Sequence, residues 1–208
     1  MDSTRDRLVI AALQLFSQKG YQSTSVADIL AAAGANSGSL YHAFPTKQDL
    51  LVAVLETYRD GIVPMLLAPA WEGVEDPVER IFALLGCYRQ ALAGSDCHYG
   101  CPIGSLALEL HEPDPPVREM LALNFDGWRD HVRTCLDAAG GRLPADTDTE
   151  ALAAFVLTVM EGGVMQSRTY RTLEAFDACV ATLRDYFNRL EAAAASPADH
   201  QGRSGAVG

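Results

Sequence analysis

The chain has 208 residues, 49% of them hydrophobic and only 21% charged, which supplies ample core material and excludes a globally disordered protein. Its formal net charge of −11 excludes non-specific nucleic-acid binding by the whole surface. The acid is uneven, however: over residues 1–50, Arg5, Arg7, Lys19 and Lys47 balance Asp2, Asp6, Asp28 and Asp49, so the entire excess lies downstream and only the N-terminal portion tolerates DNA.

Periodicity is helical almost throughout, with no strand candidate and no internal repeat. A first helix is predicted over residues 4–19, with Leu8, Ala11, Ala12, Leu15 and Phe16 as its apolar stripe and Gly20 just past its end. Ser25 and Asp28 have capping-box spacing and start a second helix through Ala33, which Gly34 breaks. A short third helix runs from Ser37 to Phe44, before Pro45. Thr46 caps a fourth over residues 47–66, with Leu50, Leu51, Val54, Leu55, Tyr58 and Ile62 inward. Residues 68–75, which bear Pro69, Trp71 and Gly73, read as a loop. A fifth helix follows over residues 77–93, with Pro at its first turn, then a loop at 94–100. Pro102 opens a sixth helix to about His111, and Pro115 and Pro116 open a seventh that Gly140 and Gly141 stop. Two more occupy residues 149–169 and 173–194. From Ser196 the chain is small, polar and Gly-rich, and is predicted disordered.

Residues 24–50 carry the most information. Two short helices joined by a tight turn, followed by an aromatic and lysine-bearing corner, have the shape of a helix-turn-helix DNA reader. Such a reader helix begins with small polar residues that let its N-terminus approach phosphates and base edges, and Asn36, Ser37, Gly38 and Ser39 supply them. Leu40 and Phe44, four apart, face inward. Tyr41 and His42 point elsewhere and can reach backbone or bases. Ser25, Thr46 and Lys47 complete the candidate DNA contacts, the last two where helix N–H groups and an ammonium grip a phosphate together.

These residues resemble the DNA-binding domain of TetR-family regulators. The matching motifs are Leu15-Phe16…Gly20, Thr24-Ser25-Val26…Ile29…Ala33-Gly34, Ser37-Gly38-Ser39-Leu40-Tyr41-His42-Ala43-Phe44 and Thr46-Lys47…Leu50. They cover about residues 4–51, in order and ungapped. One departure is Ala35-Asn36 where the family often has Val-Ser, and Asn36 can pair bidentately with adenine. The stretch Cys97-His98-Tyr99-Gly100-Cys101-Pro102-Ile103-Gly104-Ser105-Leu106-Ala107-Leu108-Glu109-Leu110 resembles the GCPIG-x-L-ALE signature of the family's LmrA/YxaF-like branch, which implies sensing of aromatic or drug-like compounds.

The resemblance implies an all-α fold of about nine helices: a helix-turn-helix domain over residues 1–48, a ligand-binding and dimerisation domain over 49–195, and a tail over 196–208. It also implies dimers through the last two helices and a small-molecule cavity. Residues at three- and four-residue steps independently suggest a heptad seam on the last helix: Phe176, Val180, Leu183 and Phe187. The helix before it is apolar nearly all round, which predicts cover on two sides; Leu152, Val156, Val159 and Gly163 are its expected partner-facing positions. Pocket candidates are Tyr58, Phe82, Tyr88 and Cys101, with Phe125, Trp128, Met160 and Met165.

Five cysteines at irregular spacings follow a charged N-terminus without an apolar leader, and the longest apolar stretch, residues 151–160 broken by Thr158, is far short of a membrane span. Reduced thiols and a cytoplasmic location are expected. Cys97 and Cys101 with His98 lack the second ligand pair of a zinc site, so neither metal nor cofactor is expected. The sum is a homodimeric repressor that a small aromatic or drug-like effector releases from a palindromic operator, through a shift of the fourth helix. Two alternatives stand beside it: a thiol-responsive regulator using Cys97 and Cys101, and a small helical enzyme. The second lacks support, because Glu109, His111 and Glu112 read as a solvated helix end.

Overall fold

The structure is a computed structural model that describes residues 3–196. The tail expected over 196–208 therefore lies, beyond Ser196, outside the described residues. Among the described residues all regular structure is helical: α1 (Thr4–Lys19), α2 (Val26–Ala33), α3 (Ser37–Ala43), α4 (Lys47–Gly61), α5 (Ala68–Trp71), α6 (Pro77–Gly94), α7 (Pro102–Glu109), α8 (Pro115–Ala139), α9 (Thr149–Tyr170) and α10 (Glu174–Ala195).

Local chemistry sets most boundaries. Ser3 with Asp6, Ser25 with Asp28, and Thr46 with Asp49 form reciprocal capping boxes at the starts of α1, α2 and α4. Asp76 accepts from the amides of Val78 and Glu79, with Pro77 behind it in the first turn of α6. Gly34 ends α2 at φ 58°, a left-handed conformation that any side chain would strain.

One boundary differs from the sequence reading. The expected loop over 68–75 is helical to Trp71, because α4 runs through a π-helical segment, Ile62–Leu67, directly into α5. Pro64 has no N–H to donate, and the widened π register absorbs that defect without ending the helix. The Trp71 indole then donates to the Arg80 carbonyl at 2.9 Å and fixes the turn into α6. Counted as one rod, α4 to α5 leaves nine helical rods, as expected.

Two hydrophobic clusters organise these rods. One joins α6, the second half of α8, α9 and α10. The other joins α1–α4 to α7 and the first half of α8, through Cys101, Ile103, Leu106, Val117 and Leu121. Tyr88 of α6 packs against both. The reader-like N-terminal helices thus share a core with α7, a segment more than fifty residues downstream of α4's start.

Candidate functional site

Leu40 and Phe44 are 0% and 3% exposed, which plugs α3 into the N-terminal core. Truncating a fully buried leucine costs about 2–5 kcal/mol, so Leu40 alone fixes the pose of this seven-residue helix. The opposite face is open: Ser37, Gly38, Tyr41 and His42 are exposed and Ser39 is half-buried. Tyr41 projects with 54% of its surface free. Several candidate contacts also have structural duties. Asn36 caps α3, its Oδ1 accepting from the Ser39 amide at 2.9 Å. A bidentate adenine pairing would have to share that oxygen. Ser25 Oγ accepts from Asp28 N at 3.1 Å, and Thr46 Oγ1 accepts from Asp49 N at 3.1 Å.

Lys47 is not the outstretched ammonium that its position suggested. Its Nζ donates to the Tyr21 carbonyl at 2.5 Å and lies 4.0 Å above the Tyr21 ring. Burial lowers its pKa, while the charge of Glu109 raises it. Glu109 requires a second correction. It is no solvated helix end but a half-buried acceptor that takes the amides of Tyr21 at 2.9 Å and Gln22 at 2.6 Å. Gly20 is the residue that admits it, since a Cβ there would lie 2.8 Å from the Glu109 carboxylate. The last residue of α7 therefore clamps the turn between α1 and α2.

Beneath the reader lies a cavity of about 300 Å³. Of the pocket candidates, Tyr58, Tyr88, Cys101, Phe125, Trp128 and Met160 line it together. Phe82 does not: it is buried elsewhere, edge-on to Phe187 at 5.4 Å and 3.3 Å under the Arg184 guanidinium. Met165 is half-exposed on an adjoining surface groove with Arg129 and Arg168. The Trp128 indole donates to the Tyr88 hydroxyl at 3.1 Å, and burial raises the pKa of that phenol. The Tyr58 hydroxyl meets Ser17 Oγ of α1 at 2.7 Å, and Leu13 of α1 itself forms part of the wall.

Sequence reasoning missed Leu13, Tyr99, Asn124, Leu157 and Glu161 as lining residues. A signal for Glu161 existed, because it interrupts an otherwise apolar face of α9. The glycines of the GCPIG stretch now have a physical reason. A Cβ at Gly100 would meet Val164 and Arg168 at 2.8 and 2.6 Å, and one at Gly104 would meet the Glu161 carboxyl at 2.1 Å. Both let α7 lie directly on α9. Cys101, at the N-cap of α7, is 7% exposed; burial and then the adjacent Glu161 push its thiol well up. A thiol held protonated is a poor nucleophile, and Cys97 is also buried, which opposes the thiol-switch alternative.

The expected dimer positions need correction too. Leu152, Val156, Gly163, Phe176, Leu183 and Phe187 are all buried within one protomer, where α10 packs on α9. A Cβ at Gly163 would lie 2.8 Å from the Phe176 ring, so this glycine sets the closeness of that crossing. The seam faces the chain's own core because one side of each helix must complete it. Val159 and Val180 are half-buried. What remains outward is a groove between α9 and α10 with Phe155 and Tyr186, 47% and 44% exposed, ring centroids 6.1 Å apart.

No described helix is long and apolar enough to cross a membrane. Among the described residues no group of three or more His, Cys, Asp or Glu could hold a metal ion.

Comparison with known proteins agrees with this architecture. Residues 8–54 match the family described as bacterial regulatory proteins, tetR family, and residues 77–182 match the LmrA/YxaF-like transcriptional regulator C-terminal domain. The regulator Rv0196 of Mycobacterium tuberculosis, itself uncharacterised, is 31% identical over 190 residues, 89% of this chain and 94% of that protein. LmrA of Bacillus subtilis is 27% identical, over 80% of this chain and 87% of its own. A TetR regulator structure from Chloroflexus aurantiacus is 30% identical with a TM-score of 0.76, covering 89% of this chain and 94% of that one. Another, from Rhodobacter sphaeroides, is 27% identical with a TM-score of 0.77, covering 89% and 97%. With helix-turn-helix, internal cavity and packed α9–α10 pair all in place, the chain belongs to the TetR family of DNA-binding, dimeric transcriptional regulators, in its LmrA/YxaF-like branch.

Proposed function

We propose that the protein is a cytoplasmic homodimeric repressor that binds a palindromic operator and leaves it when a small aromatic or drug-like effector fills the cavity. Residues 1–48 would form the reader and 49–195 the sensing and dimerising body. The observation that carries this reading is shared walls: Leu13 and Tyr58 belong at once to the cavity and to the helices that support α3. Anything that swells the cavity presses on α1 and α4. The outer face of α9 and α10, led by Phe155 and Tyr186, would pair the protomers and set two α3 helices about 34–36 Å apart, one turn of duplex.

Two rods connect cavity to reader. The fourth helix runs from Lys47 to the cavity residues Tyr58 and Gly61. The other rod, α7, begins at the cavity with Cys101–Ile103 and ends on the α1–α2 turn through Glu109. A coupling of about 3 kcal/mol through these rods would weaken operator binding about 150-fold, enough to switch a promoter.

The test selects duplexes from a random pool with wild-type protein and measures their binding by fluorescence anisotropy. Tyr41→Phe removes one hydroxyl per reader, about 1 kcal/mol each if it bonds phosphate, so a dimer should lose roughly 30-fold. Lys47→Ala removes the tie from α4 to the Tyr21 carbonyl in the α1–α2 turn and should also weaken binding, through the reader's pose rather than a phosphate contact. Failure to select any palindromic duplex, or undiminished affinity in both variants, would overturn the reading.

A further inference from the structure

We propose that the effector is a lipophilic amine, an aromatic compound whose protonated nitrogen sits against the carboxyl of Glu161. This rests on the ligand-sensing reading above and adds the chemistry of its ligand. Among the described residues, the cavity wall carries the rings of Tyr58, Tyr88, Tyr99, Phe125 and Trp128, with one ionisable carboxyl and no Lys, Arg or His. Aromatic faces present negative potential, which favours a cation over a neutral guest and disfavours an anion. A single acid with no base in the same wall has the same preference.

The one partner that Glu161 has within the chain is the Cys101 thiol. Its Oε1 is buried without a hydrogen-bond partner. Burial raises its pKa, and its neighbour is the Cys101 thiol rather than a base. Of the guanidiniums that share the adjoining groove with Glu161, that of Arg168, two turns along α9, is committed to Ser105 Oγ at 3.0 Å and the His98 carbonyl at 3.3 Å, and that of Arg129 is paired with Asp126 while its Nε is buried without a partner. An unpaired buried carboxyl opposes folding, and a leucine or glutamine would fill the space at lower cost. The fold nevertheless makes room for it: Gly104 lacks the Cβ that would lie 2.1 Å from Glu161 Oε2. Two positions on separate helices thus accommodate a carboxyl whose one in-chain donor is the weak Cys101 thiol, and whose Oε1 is left for an incoming donor. A protonated amine does so with a charge-assisted hydrogen bond, while its aromatic body occupies the rings' space.

The experiment measures binding of three probes of one shape to the DNA-free, full-length protein by calorimetry: para-phenylbenzylamine, para-phenylbenzyl alcohol and para-phenylbenzoate. Wild type should bind the ammonium at least about tenfold tighter than the alcohol and the carboxylate weakest, the margin expected of a charge-assisted over a neutral hydrogen bond. In Glu161→Gln the ammonium should lose at least about tenfold while the alcohol changes little. Equal or better binding of the alcohol or carboxylate by wild type, or no binding of any probe, overturns the proposal without recourse to a variant. A parallel titration on operator separates the two readings. Glu161-dependent binding of the ammonium without DNA release supports this ligand class and overturns effector-driven release. Release by the alcohol or carboxylate with no charge preference does the reverse.

Discussion

The clamp made by Glu109 permits a quantitative forecast. Glu109→Ala removes a carboxylate that accepts two backbone amides, those of Tyr21 and Gln22. Hydrogen bonds to a charged group contribute about 1.5–3 kcal/mol net. The Tyr21 bond is part-buried and stands near the lower end of that range, whereas the Gln22 bond is exposed and water replaces much of it. Together they amount to about 2–3 kcal/mol, which in a protein of this size lowers Tm by about 4–12 °C. Glu109→Gln keeps one acceptor but turns an amide donor toward the other N–H, so it should lose about half as much. Because α7 is only about 12 Å long, its far end cannot loosen without freeing the end that lines the cavity. Both variants should therefore blunt effector-induced operator release as well as melt early. Circular-dichroism melts alongside anisotropy titrations read both effects. An alanine variant that melts within about 1 °C of wild type would refute the clamp, and an altered Tm with unaltered release would confine Glu109 to a structural role.

Three further outcomes are expected. Gly163→Ala places a Cβ 2.8 Å from the Phe176 ring and 3.3 Å from its Cα; overpacking of about 1–3 kcal/mol should exceed the gain of up to about 1 kcal/mol in helix propensity, so Tm should fall. A more stable variant would show that the α9–α10 crossing is loose. Titration of native protein with an aromatic disulfide at pH 8 should modify Cys87 and Cys179, which are partly exposed, and leave Cys97, Cys101 and Cys135 unreacted until unfolding; prompt reaction of all five would contradict the buried placements. Glu161 has a raised folded pKa, so its contribution to stability is fully present below the unfolded value of 4.5 and is lost as pH rises through the folded one. Glu161→Gln should then gain in Tm over wild type between pH 5 and pH 8, with Cys101 and Tyr88 as the other titratable groups near it. A difference that stays constant with pH would mean the carboxyl is solvated.

Helix starts were legible because their causes are local. Capping boxes at Ser25–Asp28 and Thr46–Asp49, Pro77 behind Asp76, and Gly34 after Ala33 each act within four residues, and those helices start or stop where the motif stands. Periodicity also singled out the α10 seam, and it failed only in saying which neighbour that seam meets. A heptad stripe records that a face is covered, but not whether the cover is a second chain or the helix before it. Phe176 meets Gly163 of α9, Phe187 meets Phe82 of α6, and Leu183 is buried in the same core of their own chain. The loop expected at residues 68–75 failed for a different reason: Pro69, Trp71 and Gly73 read as loop residues, yet a π register carries the rod into α5 as far as Trp71.

The two acids that matter most were hidden by distance along the chain. Glu109 lies 88 residues from the Tyr21 amide that it accepts, and no spacing rule connects positions so far apart. Its sequence neighbours, Leu108 and Leu110, describe α7 and say nothing of the turn it reaches. Each acid has a glycine as its counterpart, Gly20 for Glu109 and Gly104 for Glu161. Gly20 reads from sequence as a helix terminator and its φ of 85° confirms that duty, so its second role, giving a carboxylate access to backbone amides, leaves no separate trace. Gly104 is more telling. It lies inside a helix, where glycine costs about 1 kcal/mol against alanine and needs a packing reason. An acid inside an apolar helix face and a glycine inside a short helix are each anomalous alone. Set against one another they mark where the cavity holds its carboxyl.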